Sequence, residues 1–82
     1  MLIRTVAFDS EDRILVLHSQ ARMPTTLIRW DHVPHKRAWQ KSQTSQIYEK
    51  AATGMRQTNN HLIILASDGN ALLTNLDTFK TS

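Results

Sequence analysis

The stretch "HLIILASDGNALLTNL", residues 61–76, constrains the fold of this chain more than any other. Two aliphatic runs flank Asp68-Gly69, and an Asp-Gly pair suits a type I′ turn, whose two central residues both need positive φ. The stretch therefore reads as a β-hairpin. The same grammar recurs at the N-terminus, where "LIRTVAF" (2–8) and "RILVLH" (13–18) flank the polar turn "DSED". "TTLIRW" (25–30) reads as a further strand, set off by Met23-Pro24.

Between these strands, residues 44–57, "TSQIYEKAATGMRQ", read as a helix. On a wheel of 100° per residue, Thr44, Ile47, Tyr48, Ala51 and Met55 fall within an arc of about 100°, wide enough for a buried stripe. Gly54 is a candidate C′ residue, and Lys50 suits the dipole of the last turn. The expected order is β-β-β-α-β-β. This is an α+β fold, a mostly antiparallel sheet of four or five strands packed on one principal helix.

Two strands carry a further message. "ILVL" and "LIIL" are continuous apolar runs rather than alternating ones, which implies cover on both faces. One helix covers one face. A four-strand face measures about 320 Å² from strand spacing and rise, an area that a monomer tolerates exposed. The runs, rather than the area, favour a partner, and a homodimer is the expectation.

The chain has 82 residues, enough for one small domain spanning 1–82. A chain of this length buries only about 60–65% of its unfolded surface, so its stability margin is small. Cysteine is absent, which excludes disulfides and thiolate metal sites. The N-terminus shows no export-signal pattern, and the longest apolar run, "LIILA", is far short of the roughly 20 residues that cross a bilayer. The expectation is a cytoplasmic protein without a membrane role.

Net charge is +3, unevenly spread. Residues 1–17 and 62–82 each carry a net −1, whereas 18–61 carry +5. Lys36, Arg37 and Lys41 lie within six positions of one another. A basic middle points to an anionic partner, either nucleic acid or the acidic face of a protein.

The chemistry concentrates in "WDHVPHKRAW", residues 30–39. His32 and His35 form an H-x-x-H pair, a metal-binding spacing on a helix face. Zinc needs a third ligand, from Asp31 or distant His18 or His61, and Val33-Pro34 interrupts the geometry, so no metal is assigned. Asp9, Glu11 and Asp12 do not make a calcium loop, since the sixth and twelfth positions hold Ile14 and Gln20 instead of Gly and Glu. They read as a solvated turn. Phosphate-cradling glycine loops and a nucleophile-base set are missing, so neither a cofactor nor an enzyme activity is expected. RNA cleavage by His32 or His35 with Lys36 or Arg37 is the least favoured reading.

Arg29, Trp30, His35, Lys36, Arg37, Trp39 and Lys41 interleave cations with rings, the combination by which single-strand binders hold phosphates and stack bases. Trp and Arg also dominate protein interface hot spots. In "LIRW", Trp30 shares a face with Ile28 and reads as core, leaving Trp39 as the exposed ring. Extending the helix backwards would bury Arg37 and Lys41 and expose Trp39. Either 35–43 are not helical or they form a helical start that protrudes from the core or bends, and the helical start is the expectation. Pro34 suits a helix start and Asp31 a cap.

The sequence thus leads to a small non-enzymatic binding protein. It docks through Arg29, His32, His35, Lys36, Arg37, Trp39 and Lys41 onto a protein or nucleoprotein with an acidic face. Small regulators or inhibitors of host machinery, carried by phages and other mobile elements, are often chains of this kind. Direct binding of nucleic acid is the alternative.

Overall fold

The computed structural model describes residues 2–82, with side chains from Arg4 onward. Seven strands follow one another: β1 (Leu2–Phe8), β2 (Ile14–Gln20), β3 (Thr25–Val33), β4 (Ala38–Tyr48), β5 (Ala52–Thr58), β6 (His61–Ala66) and β7 (Ala71–Asn75). One 3₁₀ turn, Pro34–Lys36, joins β3 to β4. β1-β2-β3-β4 form one antiparallel sheet and β5-β6-β7 a second, each strand pairing with its neighbours in sequence. Both hairpins and the third strand expected from the sequence are present.

The α+β expectation is overturned, because the described residues contain no α-helix. Residues 44–57 are the end of β4, a bend at Glu49–Lys50, and most of β5. Ser42, Thr44 and Ser45 are weak helix formers, because their side chains lose freedom or compete for backbone bonds in a helix. Their backbone instead pairs with β3, in a ladder from Thr25↔Tyr48 to Val33↔Ala38. The wheel also rested on two small members, Thr44 and Ala51, whose burial contributes little. Gly54 caps nothing. It lies opposite Leu65 in β5, and Gly69, at φ 89°, is the glycine with positive φ.

The chain leaves the first sheet for the second at three anchored points. Thr25 Oγ1 donates to Lys50 O at 2.8 Å, Ser67 N to Ala51 O at 2.7 Å, and Ala52 N to Ser19 Oγ at 2.7 Å. Inner-facing residues of both sheets then share one core: Ala7, Leu15, Leu17 and Leu27 against Ala52, Leu62 and Ile64, closed by Leu76 and Phe79. The apolar runs are split by this geometry. Leu15, Leu17, Leu62 and Ile64 are buried, while Ile63 and Leu65 stay exposed on the far side. No part of the described chain supplies the second cover that those runs imply.

β3 reverses the expected parity of "LIRW". Leu27 and Arg29 face the core, and Ile28 and Trp30 face outward, half-buried. Arg29 tolerates this position because its guanidinium is supplied on every side. Nη2 donates to Leu76 O at 3.0 Å and Asp77 O at 2.6 Å, Nη1 donates to Gln43 Oε1 at 3.0 Å, and the Phe79 ring centroid lies 4.6 Å away. Nε, without a hydrogen bond of its own, is 3.5 Å from Asp9 Oδ2, an ion pair by distance. Asp9 is buried rather than solvated. It organises the β1–β2 turn by accepting from Glu11 N, Arg13 N and Arg13 Nε.

Two carboxylates at the turns also bear on stability. The Tyr48 hydroxyl holds Asp68 below its ordinary range, and the Ser10 hydroxyl does the same for Asp77, helped by Asn60.

The two arginines eight positions apart should behave oppositely. Arg29→Met is expected to cost about 3–5 kcal/mol, since it leaves Asp9 and two carbonyls short of a partner. Arg37→Met, at an exposed turn, should stay within about 0.5 kcal/mol. Urea denaturation of both variants checks this. A depressed carboxylate stabilises the fold fully above its unfolded value of about 3.9 and loses that contribution as pH falls through the lower folded value. The urea midpoint should therefore drop below about pH 4, and an Asp68→Asn/Asp77→Asn variant should start lower at neutral pH and drop less.

Candidate functional site

β3 and β4 run on past the rest of their sheet. β2 pairs with β3 only as far as Ile14↔Trp30, while β3 and β4 stay paired through Asp31↔Gln40, His32↔Trp39 and Val33↔Ala38. Three further residue pairs make a two-stranded ribbon that extends about 10 Å, before the turn at its tip. The molecule is correspondingly long, at 44 × 23 × 16 Å. Residues 35–43 do protrude, but as a ribbon. Pro34 opens the 3₁₀ turn, and Arg37 closes it in the left-handed region at φ 49°.

Of the residues singled out from the sequence, His32, His35, Lys36, Arg37, Trp39 and Lys41 are exposed on this ribbon or at its base. Arg29 is not among them, being held in the core 7% exposed. Trp39 packs at 5.0 Å against His32, ring planes tilted by 47°. Lys41 Nζ sits 5.5 Å from the centre of the Trp30 ring. Among the described residues the ion pairs belong to Arg13 and Arg29, so Lys36, Arg37 and Lys41 carry charges that no carboxylate neutralises.

A cleft of about 400 Å³ lies beside the ribbon's base, lined by Glu11, Asp12, Arg13, Asp31, His32 and Trp39. Arg13 ties up Glu11 there at 3.1 Å. Among the described residues, no three His, Cys, Asp or Glu side chains are gathered as a metal would need. The described histidines likewise have no serine hydroxyl as a hydrogen-bond partner.

Arg4 and Phe8 carry no signal of a site in the sequence, His18 stands out only as a distant metal ligand, and Trp30 reads as core. Register brings all four onto the surface that the ribbon prolongs. Phe8↔Ile14↔Trp30↔Lys41 form one row across the sheet, and Arg4↔His18↔Thr26↔Gln46 another. Period-two alternation in "RTVAF" could have grouped Arg4, Val6 and Phe8, but not which strands lie beside them. No family model matches this sequence, and no curated protein or solved structure does either.

Proposed function

We propose that this protein is a non-enzymatic binding module that docks through its β3–β4 ribbon onto the acidic face of a larger protein or nucleoprotein, as a small regulator or inhibitor would. One observation carries the reading: the ribbon projects His32, His35, Lys36, Arg37, Trp39 and Lys41 into solvent with its cations unpaired. Unpaired cations around an exposed ring lose little on docking, since no internal ion pair has to break first. An anionic partner gains both steering and a hot-spot contact.

The proposal includes self-association, on a different surface. The outer face of β5–β7 presents Ile63, Leu65 and Leu73, which are 40, 52 and 42% exposed. This apolar cluster can meet its own copy across a two-fold axis with Arg56, opposite Ile63 on the edge strand β5, left at the rim. It also supplies the missing cover for the "LIIL" run.

The expected results are specific. Arg37→Ala with Trp39→Ala should leave the urea midpoint almost unchanged and abolish capture of the partner from extracts of the native host. Capture that survives the double change would place docking on another surface. Light scattering at high concentration should give twice the 9.4 kDa of one chain. Leu65→Glu should return it to a single chain, and a wild-type monomer would count against the dimer.

A further inference from the structure

We infer that the outer face of the β1–β4 sheet is a platform for single-stranded nucleic acid, with bases stacked on Phe8 and Trp39 and phosphates held by Arg4, Lys41 and the ribbon tip. This rests on the docking reading above and names the chemistry of the partner.

Four rows of side chains make the face: His32 and Trp39; Phe8, Ile14, Trp30 and Lys41; Val6, Val16, Ile28 and Thr44; and Arg4, His18, Thr26 and Gln46. None of these residues is acidic. The acids beside it, Glu11, Asp12 and the half-buried Asp31, line the cleft at the ribbon's base with His32 and Trp39, and Glu11 is paired with Arg13. A cation stands at each end of the face, and the aromatic rings lie on its upper two rows. Phe8 is 50% exposed and Trp39 is 47% exposed, so each has ring surface free to stack. His32 supports Trp39 from one side, and Lys41, held over Trp30, places a positive charge between the two stacking rings.

The spacing suits an unstacked strand. Phe8 and Trp30 are two strand positions apart, about 10 Å, and Trp30 and Trp39 are about 8 Å apart on the diagonal. A path from Phe8 across Trp30 to Trp39 therefore accommodates about three nucleotides, as a sheet surface with aromatic residues can. Duplex bases have no free faces for these rings to meet. A second copy is disfavoured by charge, because an isologous contact would bring together two faces whose rows carry Arg4 and Lys41 and no carboxylate. The outer face of β5–β7, by contrast, clusters Ile63, Leu65 and Leu73, with Arg56 on the edge strand beside Ile63.

The test uses the intact chain and fluorescein-labelled 12-nucleotide probes, oligo(dT) and oligo(U), with a duplex of equal length as comparison. Anisotropy should show binding to the single strands in preference to the duplex. With three phosphates neutralised, affinity should fall about 20-fold between 50 and 200 mM salt. Phe8→Ala and Trp39→Ala should each weaken binding at least about fivefold. Lys41→Ala should flatten the salt slope by about 0.7. Lys80→Ala removes a cation elsewhere and should change affinity by less than about twofold. Quenching of wild-type tryptophan fluorescence by the unlabelled oligonucleotides gives a readout without any variant.

Four outcomes would overturn the inference. Neither anisotropy nor quenching responds at low salt; or the duplex binds more tightly; or folded Phe8 and Trp39 variants bind as well as wild type; or Phe8→Ala dissociates a dimer, showing that a second copy occupies the face. If no oligonucleotide binds but the Arg37/Trp39 double variant still loses its captured partner, docking by the ribbon stands and the single-strand platform falls.

Discussion

Arg29 carries a permanent charge onto the buried side of the first sheet, beside the apolar core, and the segments around it are tied to its guanidinium. Its guanidinium reaches β4 through Gln43, the β1–β2 turn through Asp9, and the C-terminal segment through Leu76 O, Asp77 O and the ring of Phe79. A buried cation without such partners would be severely destabilising; with them it becomes a tether between segments far apart in sequence. The same contact decides the parity of β3. Once Arg29 is inside, Ile28 and Trp30 must be outside, because a one-residue slip would exchange every side chain between faces. Antiparallel pairing transmits that choice to β1, β2 and β4, and so determines which residues the outer face displays.

This explains what could be read from the chain and what could not. Hairpins closed by local turn chemistry were legible: Asp68-Gly69 announces a turn and a turn is present, although only Gly69 of the pair has positive φ, so it is not the type I′ turn expected. Strand β4 was not. It is exposed from Ala38 to Thr44 and polar there apart from Ala38 and Trp39, and a bulge at Ser42 puts Thr44 on the same face as Lys41 and Trp39, so no period-two signal distinguishes it. What makes it a strand is the ladder to β3, a non-local interaction that leaves no trace in residues 44–57 taken alone. The misfit noticed there was real, since Trp39, Arg37 and Lys41 cannot share a helix sensibly with Ile47 and Met55. Its resolution was a change of element.

The inversion at Arg29 and Trp30 has a related cause. Hydropathy alone sends tryptophan inward and arginine outward, and it does so because it assigns no value to a prepared set of acceptors. Asp9 lies 20 residues earlier and Asp77 48 residues later. Only the fold places them around one guanidinium. Of the seven docking residues expected from the sequence, Arg29 is therefore the one that the fold takes inside, while six remain on the ribbon.

The carboxylates complete the argument about the surface. Asp9 is buried against two arginines, and Glu11 is paired with Arg13. Asp68 is hydrogen-bonded to Tyr48 and Asn70, and Asp77 to Ser10 and Asn60. Asp31 shares the inward parity of Arg29 on β3. Asp9, Glu11, Asp68 and Asp77 are thus engaged at the turns, while Asp12 and Glu49 stay exposed. The cations of β1, β4 and the ribbon have no structural task of that kind. A net charge of only +3 is in this way sorted by the fold. Asp9, Glu11, Asp68 and Asp77 are spent on internal contacts, while Arg4, Lys41 and the cations of the ribbon tip stand with the aromatic rings on one outward surface.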